Sequence, residues 1–298
     1  MSAACFAFPE AAAQASGFAA ACEVPLHPVK VRGFPDGESL VRVAGAADTA
    51  FLFRSLFNPN AKLVEVLLAA SALRDLGARR VVLVTPYLAY MRQDKAFNEG
   101  EAVSQKVVGN LLANAFDGLV TVDPHLHRIS RLDQAVPGIP AIAVSAAPAI
   151  ADAIAGEIDP RTLMVGPDCE SRPWVESIAG PLGLEVLVGE KVRHGDRDVT
   201  LTIPGIAAAA GRPVVLVDDL ISSGTTLISC AGLLRQAGAT GIEAIATHCL
   251  GSGEDLARLK QAGIGRIRTT DSIANATGSI PLARVLAAAV RDQGWLAR

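Results

Sequence analysis

The chain has little of what a nucleic-acid binder, a disulfide scaffold or a membrane protein needs. Aromatics are 4% of its 298 residues, with two Trp and two Tyr, too few for the stacking platforms of a single-strand binder. It lacks a basic excess: 27 Lys and Arg stand against 30 Asp and Glu, a formal net charge of -3. Proteins that grip duplexes carry basic patches. The five cysteines, Cys5, Cys22, Cys169, Cys230 and Cys249, are widely spaced and form no CxxC pair. That pattern suits reduced cytosolic thiols, not a disulfide framework or a zinc site. No Lys or Arg precedes Lys30, and Glu10 and Gln14 interrupt the apolar stretch after Ser2, so the signal-peptide pattern is missing. No apolar run reaches the ~18 residues of a membrane span. The expectation is a cytoplasmic protein with no nucleic-acid and no membrane partner.

What the chain does have is small apolar residues. Hydrophobic residues are 50% of it, enough to bury a sizeable core in each of two domains. Short β-branched runs read as strands at Ala50-Phe53, Arg80-Thr85, Leu119-Val122, Ala141-Val144, Thr162-Val165, Glu185-Val188, Pro213-Val217, Glu243-Thr247 and Arg266-Thr269. Several are apolar on both faces, as buried parallel strands are. Helical spacing predicts helices over Ala61-Leu76, Ser104-Phe116 and Thr225-Ala237, the first and third followed by C-cap glycines, Gly77 and Gly238. The alternation predicts an α/β protein with mostly parallel sheets. "RRVVLVTPY" at Arg79-Tyr87 resembles "RPVVLVDDL" at Arg212-Leu220, which suggests an internal duplication. The boundary is placed near Ser145, giving domains over 1–145 and 146–280. The final helix, within 281–298, is free to fold back onto the first domain.

Chemistry concentrates at "VVLVDDLISSGTT", Val214-Thr226. A buried strand is expected to end in two carboxylates, Asp218 and Asp219. Ser222, Ser223, Gly224, Thr225 and Thr226 then offer hydroxyls and free backbone N–H groups at a helix start, a phosphate cradle. An Asp-rich turn with a Ser cap has the same composition, but paired carboxylates beside such a cradle suit a sugar phosphate. No Walker GK[ST] is present.

This segment resembles the phosphoribosyl-diphosphate (PRPP) loop of type I phosphoribosyltransferases. By itself it leaves a phosphoribosyltransferase and a ribose-phosphate diphosphokinase open. Five further segments resemble the second family, the PRPP synthetases. "FPDGES", Phe34-Ser39, is similar to the ATP-adenine loop, which assigns Phe34, Asp36, Gly37 and Glu38 to ATP, although Asp-Gly is equally a turn signal. "RQDK" within Pro86-Leu112 assigns Arg92, Gln93 and Asp94 to ATP. "TVDPH" places His125 at the nucleotide-magnesium site. "VGPDCESRPW", Val165-Trp174, aligns with the diphosphate loop and assigns Asp168 to magnesium. Glu170 and Ser171 stand where the family has glycines. "EKVRHGDRDV", Glu190-Val199, is similar to the flexible catalytic loop, with Lys191 and Arg193 as its cations.

The resemblance implies two tandem phosphoribosyltransferase-like α/β domains and a Mg2+-dependent enzyme. It would transfer the diphosphoryl group of ATP to O1 of ribose 5-phosphate, giving PRPP and AMP. It also implies a homodimer or larger homo-oligomer, since in the family the adenine loop comes from a neighbouring subunit. The alternatives are a phosphoribosyltransferase using PRPP and a non-catalytic regulatory homologue. The "RQDKAFNEGE" wording is more similar to the shorter, archaeal-type synthetases than to the phosphate-regulated hexameric ones.

Overall fold

The computed structural model describes residues 2–126, 128–193 and 199–296. The chain packs as two units, one of residues 1–145, 272–274 and 281–298, the other of 146–271 and 275–280.

Unit 1 runs β1 (Ala3–Ala7), α1 (Ala12–Cys22), β2 (Leu26–Gly33), β3 (Ser39–Val43), β4 (Thr49–Phe53), α2 (Pro59–Asp75), β5 (Arg80–Thr85), α3 (Ser104–Ala115), β6 (Gly118–Val122) and β7 (Ala141–Val144). Six strands lie parallel in the order β2-β1-β4-β5-β6-β7, and β3 pairs antiparallel along β2 at the edge. Every residue of β4 and β6 is buried, because helices cover both sheet faces and no side chain of a central strand reaches water. On one face Phe6, Leu52, Leu83 and Leu119 pack with Val66 and Leu73 of α2 and Val108 and Leu112 of α3. On the other, the Phe18 ring of α1 meets Phe51 edge-on at 5.8 Å and Phe53 at 5.6 Å.

Unit 2 runs α4 (Ala147–Ile154), β8 (Leu163–Gly166), α5 (Arg172–Leu182), β9 (Glu185–Val188), β10 (Glu190–Arg193), β11 (Val199–Thr202), β12 (Pro213–Ile221), α6 (Thr225–Gln236), β13 (Gly241–Cys249), α7 (Gly253–Gln261), β14 (Ile264–Thr270) and β15 (Gly278–Ile280). Its sheet is wholly parallel, in the order β9-β8-β12-β13-β14-β15, and β10 and β11 form a separate hairpin. Counting parallel strands along the chain, both units read second, first, third, fourth, fifth, sixth. In each, a hairpin follows the second strand: β2–β3 in unit 1, β10–β11 in unit 2.

The helices after the sixth strands are exchanged. β7 ends the sheet of unit 1, yet α4 belongs to unit 2, where it packs on α5. β15 ends the sheet of unit 2, yet the last helix, α8 (Ala283–Asp292), belongs to unit 1 and packs on α1, β6 and β7. Its apolar stripe of Leu286, Ala287, Ala289 and Val290 is what it buries there.

Three expected strands, at 80–85, 141–144 and 185–188, coincide with β5, β7 and β9. The patterning misses β1, β2, β3, β10, β11, β15, α1, α5 and α7. β1 and α1 are alanine-rich with little polar contrast, and much of β2 is exposed and contains Pro28. The duplication holds in topology but not in the pair of segments that suggests it. Arg79-Tyr87 spans β5, the fourth strand of unit 1, whereas Arg212-Leu220 spans β12, the third of unit 2. Both are central strands covered on two faces, so both need the same apolar run. Among the described residues no helix is long and apolar enough to cross a membrane.

Candidate functional site

In open parallel sheets, ligands sit beyond the carboxyl ends of the strands, where the strand order reverses. In unit 2 that point lies between β8 and β12, and the expected cradle is there. Asp218 and Asp219 do not follow the strand, as the sequence suggests; they lie inside it, because β12 continues to Ile221, paired with Cys249 of β13. As neighbours in a strand they project to opposite faces. Asp219 is buried, 7% exposed, and its backbone N–H donates to Asp218 Oδ1 at 3.0 Å.

Burial, then the Asp219 charge, then Asp168 push the Asp218 carboxyl up to about 8. Three acidic side chains are thus within electrostatic reach at this strand end. Asp168 follows β8, the neighbour of β12. Its Oδ1 accepts from the backbone N–H groups of Glu170 at 3.1 Å and Ser171 at 3.3 Å, capping a short 3-10 turn over Cys169–Ser171. The Ser171 hydroxyl donates to the Asp168 carbonyl at 2.6 Å. The non-glycine residues of this loop therefore make a capped turn.

Beyond β12, Asp218 and residues 222–226 line a cavity of about 100 Å3. Ser222, Ser223 and Thr225 are exposed. The Ser223 and Thr225 hydroxyls lie 3.0 Å apart. Gly224 caps α6 with φ of 73°, and a Cβ there would stand 2.8 Å from Leu259 of α7. Only glycine meets both demands. Thr226 continues into α6, whose first N–H groups have no helical partner.

The β10–β11 hairpin carries Lys191, paired in register with Leu201, and Arg193, paired with Val199. Gly189 roots it: its N–H donates to the Gly166 carbonyl at 2.8 Å, and a Cβ would meet the Pro167 carbonyl at 2.5 Å. His194 lies outside the described residues, as does His127.

The remaining expected residues belong to unit 1. Phe34, Asp36, Gly37 and Glu38 form the exposed turn between β2 and β3. Phe34 N–H donates to the Glu38 carbonyl at 2.7 Å, and the Arg32 guanidinium lies 5.0 Å over the Phe34 ring. Arg92, Gln93 and Asp94 sit on the loop after β5. Arg92 is exposed and unpaired among the described residues. Gln93 faces Glu101, whose carboxylate also accepts from Phe97 N–H at 2.9 Å and Asn98 Nδ2 at 2.6 Å. The Asn98 side-chain bond and then the Phe97 N–H hold the Glu101 carboxyl below its ordinary range. Asp94 is ion-paired to Arg128, which ties this loop to the one after β6 that carries His125. Sequence reasoning leaves Glu101, Arg128, Gly189 and Leu259 without a role. Their partners lie 3 to 35 residues away, and no local pattern announces such pairings.

The third strand of unit 1 ends differently. Arg54, 5% exposed, follows β4. Its Nε donates to Glu10 at 2.7 Å, its Nη1 reaches Glu65 at 2.5 Å, and its guanidinium lies 3.8 Å over Phe8. Pro59 opens α2 without an N–H to offer. At this end the Arg54 charge is met by its own ion pairs, beside a cavity of about 190 Å3 lined by Glu10, Ser55, Phe57 and Lys62.

An oxygen-rich set such as Asp168, Asp218 and Asp219 suits a hard divalent cation, whose charge would relieve the repulsion seen at Asp218. Among the described residues no three His, Cys, Asp or Glu side chains are already gathered as a metal-binding group.

Comparison with known proteins agrees along the chain. Residues 5–115 match the family described as the N-terminal domain of ribose phosphate pyrophosphokinase, and residues 139–288 match the phosphoribosyl transferase domain. The ribose-phosphate pyrophosphokinase of Methanobrevibacter smithii is 32% identical over 277 residues, 89% of this chain and 92% of that protein. That of Methanopyrus kandleri is 35% identical over 273 residues, covering 91% and 92%. The crystal structure of the phosphoribosylpyrophosphate synthetase from Mycobacterium smegmatis superposes with a TM-score of 0.82 at 25% identity and covers 99% of each chain.

Proposed function

We propose, from the premise that this chain belongs to the ribose-phosphate pyrophosphokinase family, that it transfers the diphosphoryl group of ATP to O1 of ribose 5-phosphate. The family fixes the enzyme class; the substrates, the metal and the residue roles are our reading. The observation that carries it is the end of β12: an open cradle of hydroxyls and helix N–H groups beside two carboxylates under mutual strain.

In this reading the 5-phosphate lies on residues 222–226, where the α6 N–H groups and the Ser and Thr hydroxyls bind it. Asp218 and Asp219 orient the ribose hydroxyls. Asp168 and His125 are each read as Mg2+ residues, and Mg2+ would supply charge neutralisation on the triphosphate. Arg92 and Gln93 bind ATP, with Asp94 setting that loop through Arg128. Phe34 covers the adenine, with Asp36, Gly37 and Glu38 lining its turn. That turn is exposed on its own chain, in keeping with service to a neighbouring subunit of a homodimer or larger assembly.

The ribose O1 forms a bond to the β-phosphorus, the bond from that phosphorus to the α–β bridging oxygen breaks, AMP departs, and the O1 proton passes to solvent. The protein's work is positioning in line and neutralising charge. Lys191 and Arg193, on the hairpin rooted beside the Asp168 loop, supply cations to the transferring group. The test is AMP formation by the purified, folded chain from ATP, ribose 5-phosphate and Mg2+. AMP dependent on both substrates is expected; its absence would overturn the reading.

A further inference from the structure

The two units differ at the amino end of the fifth parallel strand. In unit 1 that strand, β6, opens at Gly118, and a Cβ there would stand 2.7 Å from the Trp295 indole. Trp295, 6% exposed, lies three residues past the end of α8. The residue three past the end of α4, its counterpart in unit 2, is Glu157. Beside the fifth strand of unit 2, β14, no indole fills the space. A cavity of about 400 Å3 lies there instead, with Gly241 and Gly265 in its wall. That volume is in the range of small-molecule sites, roughly 300–1,000 Å3.

The charged groups around the cavity cancel. Glu157 Oε2 accepts from Arg266 Nη1 at 2.7 Å and Arg268 Nη1 at 3.3 Å, and Glu243 Oε2 accepts from Arg268 Nη2 at 3.0 Å. Asp159 is taken by Arg161 at 2.9 Å. A charged ligand would find no compensating charge, so a neutral one is favoured. Two kinds of polar capacity remain. Oε1 of Glu157 and Oε1 of Glu243 accept no hydrogen bond among the described residues and suit N–H donors. Arg268, 7% exposed, has an Nε–H without a partner. The guanidinium groups also offer flat faces for an aromatic ring.

We propose that this cavity binds a neutral, planar nitrogen heteroaromatic with N–H donors, seated in unit 2 where the Trp295 indole sits in unit 1. The donors meet Glu157 and Glu243, and the glycine wall admits the ring. The site stands at the opposite end of the strands from the cradle and does not depend on the reaction assigned there.

The test uses adenine and cytosine as probes, titrated calorimetrically into the full chain with ATP already saturating. Wild type is expected to bind at least one of them saturably at one site per chain. Gly265→Phe and Gly241→Phe fill the cavity, and each is expected to weaken that binding at least tenfold. A Cβ at Gly241 meets nothing within 4 Å, and one at Gly265 meets only the Ile242 carbonyl at 3.8 Å, so the backbone accepts both. AMP formation by the two variants is expected to match wild type, which separates this site from the catalytic one. No saturable binding of either base to wild type, or undiminished binding to both folded variants, would overturn the proposal.

Discussion

The carboxyl ends of β4 and β12 hold the same place in two sheets of the same strand order, and they are built in opposite ways. At β4, Arg54 is buried between Glu10 and Glu65 and covered by Phe8. At β12, Asp218 stands near two other carboxylates, and the burial and their charges hold it protonated well above the ordinary range. The first end satisfies the Arg54 charge internally, although a cavity of about 190 Å3 lined by Glu10, Ser55, Phe57 and Lys62 remains beside it. The second gathers acidic charge, which a ligand with hydroxyls and a cation would complement. A repeated fold does not repeat a site; the residues at the end of the third strand decide what chemistry each copy presents.

A large effect is expected at the β4 end. Arg54→Ala strands Glu65 and Glu10 beside a buried gap and should cost about 3–5 kcal/mol of stability. Chemical denaturation measures it, with activity per folded molecule expected to stay near wild type; a loss below 1 kcal/mol would mean this end is held by packing alone. At the open end, Lys191→Ala should lower kcat roughly 100- to 1,000-fold with little change in the ribose 5-phosphate KM. Steady-state kinetics would recast Lys191 as a binding residue if KM rose as much as kcat fell. Gly224→Val forces a left-handed backbone position and a clash with Leu259. It should reduce kcat/KM for ribose 5-phosphate about 100-fold, near 2.7 kcal/mol.

The hairpins after the second strands extend the comparison. Phe34→Ala should raise the ATP KM roughly tenfold, about 1.4 kcal/mol, with kcat largely kept. A fall in kcat of the Lys191 size would erase the distinction between a binding hairpin and a catalytic one.

The last prediction is a pH dependence. Unfolded, Asp218 loses its proton near the ordinary carboxylate value; folded and ligand-free, it keeps it to about 8. Between the two the folded chain binds the extra proton, so stability falls as pH rises from about 4 to about 8 and then levels off. Asp218→Asn removes that slope. Its Tm should exceed wild type at the upper end of the window, by about 2–4 °C for each kcal/mol relieved, and match it at the lower end. A Tm difference that does not grow with pH would show the three carboxylates too far apart to interact.

Much of the fold is legible in the sequence. The run of β5 stands at its expected position because a strand covered on both faces permits little besides apolar, mostly β-branched residues, and the edge strands β7 and β9 keep enough of that pattern to be read as well. The cradle at 222–226 is legible because a phosphate site at a helix start needs small, donor-rich residues in one short segment. Residues whose function depends on a distant partner are not legible. Arg128 reads as surplus until Asp94 meets it, Glu101 until Gln93, Phe97 and Asn98 gather on it, and Gly189 until Pro167 comes close.

The sequence by itself determined the α/β alternation, the family and the segment that carries the cradle, since each rests on residues adjacent in the chain. The few aromatics excluded base stacking, but composition could not say that Phe6, Phe8, Phe18, Phe51 and Phe53 all lie buried in unit 1. Only the tertiary structure decided which of two like strand ends carries the ion-paired Arg54 and which the acidic cluster, which helix covers which sheet, and where Trp295 fills a gap that unit 2 leaves empty. Those outcomes depend on contacts such as Glu10 with Arg54 and Gly118 with Trp295, whose partners lie 44 and 177 positions apart. The free energy of such a contact belongs to the pair, and no local pattern carries it.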